Sequence, residues 1–414
     1  MTVDVATLPC RSCGETGLTS VLDLGETPLA DALVPPERLG DPEDRFSLEI
    51  AFCRECTLVQ VLEEVPPEKL FVENYLYFSS FSNYLLEHAR RHAEELIVAG
   101  GLDETSLVVE LASNDGYLLR NFVDDAIPVL GIDPAPDQAE AAIAAGIPTI
   151  AEFFGTEMAR GLRKDGVVAD VIIANNVLAH VPDLNGFVQG MATLLADDGI
   201  VTIENPYVRE LIDRCAFDTI YHEHFCYFSC TAIDYLMRRH GLFLNHVEYF
   251  PDLHGGTLRW YVSKRNSRTE TAVGYLEAEV DAGLDQIGYY EAFGARVRSL
   301  QSDLGELLES LRVRGATIAA YGAAAKGATM LNTTRIGTDL VEFVVDRNVH
   351  KHGTFMPGTH QQVRDPAALL TEQPDYVLLL AWNFADEIVA QQSEYLERGG
   401  RFIVPVPTLK IIGD

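Results

Sequence analysis

The stretch SLVVELASNDG, residues 106–116, decides the fold. An apolar run, Ser106–Leu111, stops at a short polar loop ending in Gly116, and helix-forming sequence follows. Strand, loop and helix in that order open an α/β sheet, and such sheets bind ligands at the carboxyl ends of their strands. A dinucleotide loop needs G-x-G-x-x-G so that its backbone can approach a pyrophosphate. Here the loop keeps only Gly116, and Glu110 stands at its entrance. An acidic, glycine-poor loop suits a cationic ligand without phosphates. S-adenosylmethionine, positive at its amino group and sulfonium, fits that description. Asp133 ends the next apolar run, PVLGID, where a carboxylate accepts ribose hydroxyls. A loop and a strand-end acid with no ligand is the competing reading.

Outward from this loop the pattern repeats. DVIIAN (170–175) and IVTIE (200–204) are further short apolar runs separated by helical sequence, which predicts a doubly wound parallel sheet. Leu244–Tyr249 and Thr257–Ser263 follow without an intervening helix and predict an antiparallel pair on one edge. Before the loop, an aromatic-rich segment becomes an amphipathic helix from about Ser82 to Val98. After the hairpin, residues 270–314 read as long helices with charged faces. A second α/β unit then begins: ATIAAYGAAAKG (316–327) is strand, small-residue loop and helix, and LVEFVVD, DYVLLLAW and GRFIVPVP supply three more strands.

At the N-terminal end, Cys10 and Cys13 form one C-x-x-C pair and Cys53 and Cys56 a second, 39 residues later. Each pair can place two thiolates on one ion, and together they complete a closed tetrahedral zinc site of the structural kind. Four unrelated core cysteines, or a single redox pair, is the alternative; the spacing alone does not separate zinc from iron. The predicted organisation is α/β in three parts: a zinc-binding module over 1–66, a Rossmann-like S-adenosylmethionine-binding domain over 67–266 and a second Rossmann-like domain over 267–414.

The formal net charge of −31 argues against a broad nucleic-acid-binding surface. No run of 18 apolar residues predicts a membrane span, and the N-terminus lacks the basic and apolar regions of a signal peptide. Seven cysteines, four of them assigned to metal, predict the reducing cytoplasm, with Cys215, Cys226 and Cys230 as free thiols. A monomer is compatible with this sequence, which carries no feature that fixes oligomeric state.

The chain resembles the zinc-containing sugar C-methyltransferases of deoxysugar biosynthesis. The resemblance spans the whole chain and rests on the paired C-x-x-C module, ELASNDGYLL (110–119), NNVLAHVPD (175–183), YHEHFCYFS (221–229) and YGAAAKG (321–327). It implies an S-adenosylmethionine-dependent enzyme that methylates C-3 of a dTDP-linked 4-keto-deoxysugar on the way to an antibiotic sugar. It also implies that Glu110, Ala112, Asn114, Gly116 and Asp133 hold the methyl donor, with Asn175 and Asn176 beside its methionine end. The C-terminal domain would help to hold the nucleotide-sugar.

Methylation at the carbon next to a ketone needs a base for the C-3 proton and a donor for the enolate oxygen. Tyr221-His222-Glu223-His224 offers acid–base groups in four residues. If this segment is extended, His222 and His224 share one face and Tyr221 and Glu223 the other. His224 is expected to be the base, chiefly on the resemblance, with Glu223 as its orienting carboxylate and Tyr221 as a substrate donor or alternative base. His180 is placed to hydrogen-bond the C-4 oxygen. A metal at the H-x-H run is the competing reading, with no clear third ligand. Tyr75 and Tyr77 are expected to wall the sugar, or to be core. Lys326, one of six lysines, opens the helix after the second loop and is placed to meet a diphosphate, with Trp382 and Asn383 beside the nucleotide. Three other readings stand beside this one: an O- or N-methyltransferase on a related nucleotide sugar, a non-catalytic nucleotide-sugar-binding protein, and an NAD(P) oxidoreductase using the C-terminal fold.

Overall fold

In the computed structural model, which describes residues 4–71 and 78–413, the chain forms three β-sheets. The first contains β1 (Thr19–Thr27), β2 (Phe46–Phe52) and β3 (Val59–Val61), all antiparallel. Cys53 and Cys56 lie in the tight turn between β2 and β3, where Thr57 takes a left-handed conformation and its N–H bonds back to the Cys53 carbonyl at 2.9 Å. Cys10 and Cys13 form a matching turn before β1, closed by Gly14 N–H to the Cys10 carbonyl at 2.9 Å.

The middle sheet is built on β4 (Val108–Leu111), β5 (Val129–Ile132), β6 (Thr149–Ile150), β7 (Ala169–Asn175) and β8 (Leu195–Pro206). Their order is β6-β5-β4-β7-β8, all parallel, so the order reverses between β4 and β7. A crevice opens at such a reversal, beyond the carboxyl ends of the strands. The strands are apolar along both faces because helices cover both. The helix Asn83–Gly100 packs on one side with Leu118 and Phe122, and the helix Leu184–Leu194 on the other. The chain then donates β9 (Cys226–Tyr227) to the first sheet, where it pairs with β3. β10 (Phe243–Phe250) and β11 (Thr257–Ser263) return as an antiparallel hairpin on β8, and β10 is the edge strand, as the sequence predicts. Arg259 of β11 is buried and pairs with Glu204 of β8 at 2.6 Å; His88 adds a bond to the same carboxylate at 3.0 Å.

After the helices Glu270–Ala282 and Ile287–Val313 comes the third sheet: β12 (Ile318–Tyr321), β13 (Phe343–Val345), β14 (Gln362–Arg364), β15 (Tyr376–Leu379), β16 (Arg401–Val404) and β17 (Lys410–Ile412). The order β14-β13-β12-β15-β16-β17 again reverses beside its first strand, and only β17 is antiparallel. Its loop and Trp382 lie at that reversal, after the neighbouring strands β12 and β15.

The first module is not an appendage. Leu22, Leu48, Ile50 and Phe52 belong to the same apolar core as Tyr290, Phe293 and Val297, and the rings of Phe52 and Tyr290 stack 4.6 Å apart. Gly294 lets the helix Ile287–Val313 lie directly on β1: a Cβ there would stand 2.6 Å from the Val21 carbonyl oxygen. The four cysteines, with Leu58 and Val65, join the core of the middle sheet instead. The small sheet is therefore a wedge packed against both larger ones.

Candidate active site

The loop after β4 curls tightly. Ala112, Asn114 and Gly116 all adopt left-handed backbone (φ 57°, 51° and 74°). At Gly116 a Cβ would also stand 2.8 Å from Cγ1 of Ile147, so glycine is required twice over. Asp133, just beyond β5, fixes the curl: its two carboxylate oxygens accept the N–H groups of Asn114 and Ala135 at 2.8 and 2.9 Å. Each oxygen keeps a second lone pair for a ligand hydroxyl. Glu110 is buried at the mouth of this loop. Burial, then the charges of Asp133, Asp115 and Glu204, push its carboxyl well above the usual range. Its Oε2 and the Oδ1 atoms of Asn175 and Asn176, at the end of β7, have no partner among the described residues. Buried acceptors beside crowded carboxyls are costly alone and match a ligand carrying positive charge and N–H donors. These residues fit S-adenosylmethionine. The loop is also capped from outside: Asn114 Oδ1 accepts Ser79 N–H at 2.9 Å.

Thr219 to Phe228 contains the expected acid–base residues, and it turns where the sequence reading allowed an extended strand. His224 N–H bonds the Tyr221 carbonyl at 3.0 Å. Tyr221 and His224 therefore share a face, their rings 4.1 Å apart, and His222 points elsewhere. His222 Nε2 donates to the Ser47 carbonyl of β2 at 3.1 Å, which makes it an anchor to the first module and corrects the expected pairing with His224. His224 Nδ1 lies 3.0 Å from the Thr219 carbonyl, which can only accept, so Nδ1 carries the proton and Nε2 the lone pair. Tyr221 O–H then donates to Nε2 at 3.1 Å. The His180 ring stands 4.8 Å from that of His224, and Phe71 packs against its far edge at 5.4 Å.

Glu223 does not orient His224; a backbone carbonyl does. The Glu223 carboxyl instead meets Asp31 of the first module, and burial and that neighbour raise it well above the usual carboxylate range. Asp31 is raised too, by burial, against the pull of Lys351, the proton shared with Glu223 and the Ala325 N–H it accepts. Both histidines are driven the other way. Burial lowers His180 to about 4, and burial with the neighbouring His180 holds His224 well below 6.5. A base must be neutral to act, so a lowered value keeps His224 competent below neutrality. The acid limb of kcat/KM against pH is accordingly expected below the ordinary histidine value of about 6.5. A limb at or above that pH would speak against His224.

The C-terminal domain brings Lys326 and Trp382 next to this segment. Lys326 opens the helix Ala325–Thr333 as expected, but its Nζ lies 5.1 Å over the Trp382 ring. Trp382 Nε1 donates to buried Asp218 at 2.6 Å. Burial lifts Asp218 to about 6, and Lys326 pulls in the opposite direction. Lys326 and His254 both lie within the electrostatic reach of His224. The structure thus links His180, Tyr221, His224, Lys326 and Trp382 through pairwise contacts, with Asn383 next to Trp382. Tyr75 and Tyr77 lie outside the described residues. Thr219, Asp218, Asp31 and His254 were missed. A backbone carbonyl has no sequence signal, and the other three stand in stretches with no motif of their own.

The four cysteine sulfurs lie within 4.8 Å of one another, with Cys10–Cys56 and Cys13–Cys53 both 3.5 Å apart. Zinc–sulfur bonds of about 2.3 Å in a tetrahedron need sulfurs about 3.8 Å apart. The buried donor set fits one zinc with no open position. This site is coupled to the cleft, because Val61 N–H bonds the Phe225 carbonyl at 2.9 Å and β3 pairs with β9, just after His224. Among the described residues no helix is long and apolar enough to cross a membrane.

Comparison with known proteins agrees with this arrangement. Residues 10–71 match a zinc binding domain, 85–247 a methyltransferase domain and 252–407 the C-terminal domain of C-methyltransferases. C-methyltransferase NovU of Streptomyces niveus is 34% identical over 406 residues, which is 97% of this chain and 96% of NovU. Two solved methyltransferases resemble part of the chain more distantly. An S-adenosylmethionine-dependent methyltransferase of Clostridium acetobutylicum shares 9% identity, covering 43% of this chain and 91% of its own, at TM-score 0.34. Magnesium protoporphyrin IX methyltransferase of Synechocystis shares 13%, covering 48% and 89%, at TM-score 0.34. At that level they add nothing to the fold already described. With the cysteine cluster, the acidic loop and the C-terminal domain all matched along one chain, the protein belongs to the S-adenosylmethionine-dependent C-methyltransferases that carry an N-terminal zinc-binding domain.

Proposed function

We propose that the enzyme methylates C-3 of a dTDP-linked 4-keto-deoxysugar, with a 3-amino-2,3,6-trideoxy sugar as the preferred acceptor. The observation that carries this reading is the oriented imidazole of His224: its protonated Nδ1 is held by the Thr219 carbonyl, and its free Nε2 faces the cleft group Tyr221. When bound, S-adenosylmethionine supplies an electrophilic methyl group. Glu110, Ala112, Asn114, Gly116 and Asp133 hold it, with Asn175 and Asn176 at its methionine end.

The acceptor displaces Tyr221 O–H from Nε2 of His224, and Nε2 takes the C-3 proton. The imidazolium keeps its Nδ1–H bond to the Thr219 carbonyl, which stabilises the positive charge. As negative charge moves to the C-4 oxygen, His180 and the released Tyr221 hydroxyl are the donors at hand. His180, held neutral, has one ring N–H, which must turn from the Glu223 carbonyl to the C-4 oxygen to give this hydrogen bond. Glu223 acts indirectly, by tying the turn to Asp31. Lys326, Trp382 and Asn383 take the nucleotide end.

The test is incubation of dTDP-3-amino-4-keto-2,3,6-trideoxyhexose with enzyme and S-adenosylmethionine. The expected product is heavier by one methyl group and has lost the C-3 proton in its NMR spectrum. A product methylated on nitrogen or oxygen, with C-3 still protonated, would overturn the proposal.

A further inference from the structure

We propose that Asp218 is a positioning residue for the methyl transfer: through its hydrogen bond to Trp382 it fixes the turn whose Thr219 carbonyl orients His224. This rests on the reading of His224 as the base. The bond runs from Trp382 Nε1–H to Asp218 Oδ2 at 2.6 Å, and both side chains are buried. It joins the C-terminal domain to the residue immediately before Thr219.

The imidazole depends on that carbonyl. A histidine that takes a proton at Nε2 must carry its own proton on Nδ1, and a free imidazole prefers the opposite tautomer. The hydrogen bond made by one ring nitrogen sets the state of the other. Here the Thr219 carbonyl accepts from Nδ1 at 3.0 Å. A carbonyl rotated away releases the ring to the tautomer that cannot act as the base.

The turn does not hold that carbonyl unaided. It is a single 3₁₀ turn, Phe217–Thr219, closed by Thr219 N–H to the Ala216 carbonyl at 3.1 Å and Ile220 N–H to the Phe217 carbonyl at 3.0 Å. So short a turn has poor hydrogen-bond geometry and takes its shape from its surroundings. Phe217 and Ile220, on either side of Asp218, bury in the core they share with Ala325 and Ala328 of the C-terminal domain. Apolar burial is non-directional, so it fixes depth rather than rotation. The bond from Trp382 is directional and supplies the rotation.

Packing does not account for the acid. Asp218 is wholly buried, and its Oδ1 has no partner among the described residues. A buried carboxyl with one oxygen unpaired destabilises the fold, and an apolar side chain of similar size would remove that cost. An apolar side chain would not accept the indole N–H.

The test uses full-length, zinc-loaded protein labelled with nitrogen-15 in its histidine rings, with the His224 signals assigned by their loss in His224→Ala. The wild type is expected to show the Nδ1–H tautomer. Asp218→Ala is expected to shift these signals toward the Nε2–H tautomer and to lower kcat about ten- to a hundredfold, the cost of a misplaced base, with S-adenosylmethionine bound as by the wild type. Asp218→Asn still accepts the indole N–H but carries no charge, and is expected to return both tautomer and kcat to the wild-type range. Should Asp218→Ala fail to fold, Trp382→Phe breaks the same bond from the other side and is read by the same signals. Unchanged tautomer signals in the variant lacking the bond would overturn the inference. An Asp218→Asn protein as impaired as Asp218→Ala would overturn it too, by assigning the acid to charge balance with Lys326. Wild-type turnover by His224→Ala would instead remove the base, and the inference with it; the tautomer signals do not depend on turnover, so the two failures are distinct.

Discussion

His224→Ala lowers kcat for methyl transfer by about a thousandfold, while S-adenosylmethionine binds with wild-type affinity. The size follows from general-base catalysis, which contributes roughly 10²- to 10⁴-fold. The value belongs near the middle of that range because the ring is held at both ends, by the Thr219 carbonyl and the Tyr221 hydroxyl, and no low-end contribution is expected of so well oriented a base. Donor binding survives because the loop after β4 is fixed by Asp133 and Ser79, neither of which touches His224. Product mass spectrometry and calorimetric titration of the donor check the two halves separately. Turnover within tenfold of wild type would remove His224 as the base and leave Tyr221 to take its place.

Removing the zinc has the second large effect, and it reaches the cleft. The purified protein is expected to carry one zinc per chain. Cys53→Ser, or exhaustive chelation, is expected to abolish methyl transfer and to bring a first unfolding transition far below that of the holoprotein. Structural zinc in small modules contributes apparent free energies of about 10–16 kcal/mol, comparable to the whole stability of a domain. Here the loss would spread. The cysteines share a core with the middle sheet, and β2 and β3 share one with the C-terminal domain. His222 is anchored on Ser47, and Val61 on Phe225, so the turn that carries His224 loses its backing. Metal analysis, thermal unfolding and the methyl-transfer assay read the three consequences. Zinc-free protein with an unchanged transition and full activity would contradict the wedge role of the first module.

The parts legible in the sequence are those with a local signature. Alternating apolar runs marked both parallel sheets, the doublet Leu244–Tyr249 and Thr257–Ser263 marked the hairpin, and two C-x-x-C pairs marked the metal cluster. What escaped depends on contacts between residues distant in the chain. β9 is two residues long and pairs with a strand some 165 positions earlier, which no periodicity announces. The face shared by Tyr221 and His224 was misjudged because strand alternation holds only for extended backbone, and one turn brings residues three apart together. The orienting partner of His224 is a carbonyl, a group every residue has. Asp31 lies in the first module, yet it meets Glu223 and closes a helix terminus of the last domain. Lys326 of that same helix lies over the Trp382 ring at 5.1 Å, a contact between residues 56 positions apart that no local pattern announces.

The central claim is that a new carbon–carbon bond forms at C-3 of the acceptor. One carbon NMR spectrum tests it most directly, recorded on the product made with S-adenosylmethionine labelled with carbon-13 in the methyl group. The account predicts a methyl signal at an aliphatic C–CH3 shift, showing one-bond coupling to a C-3 that carries no hydrogen. A labelled methyl at an N–CH3 or O–CH3 shift, uncoupled to a ring carbon, would contradict it.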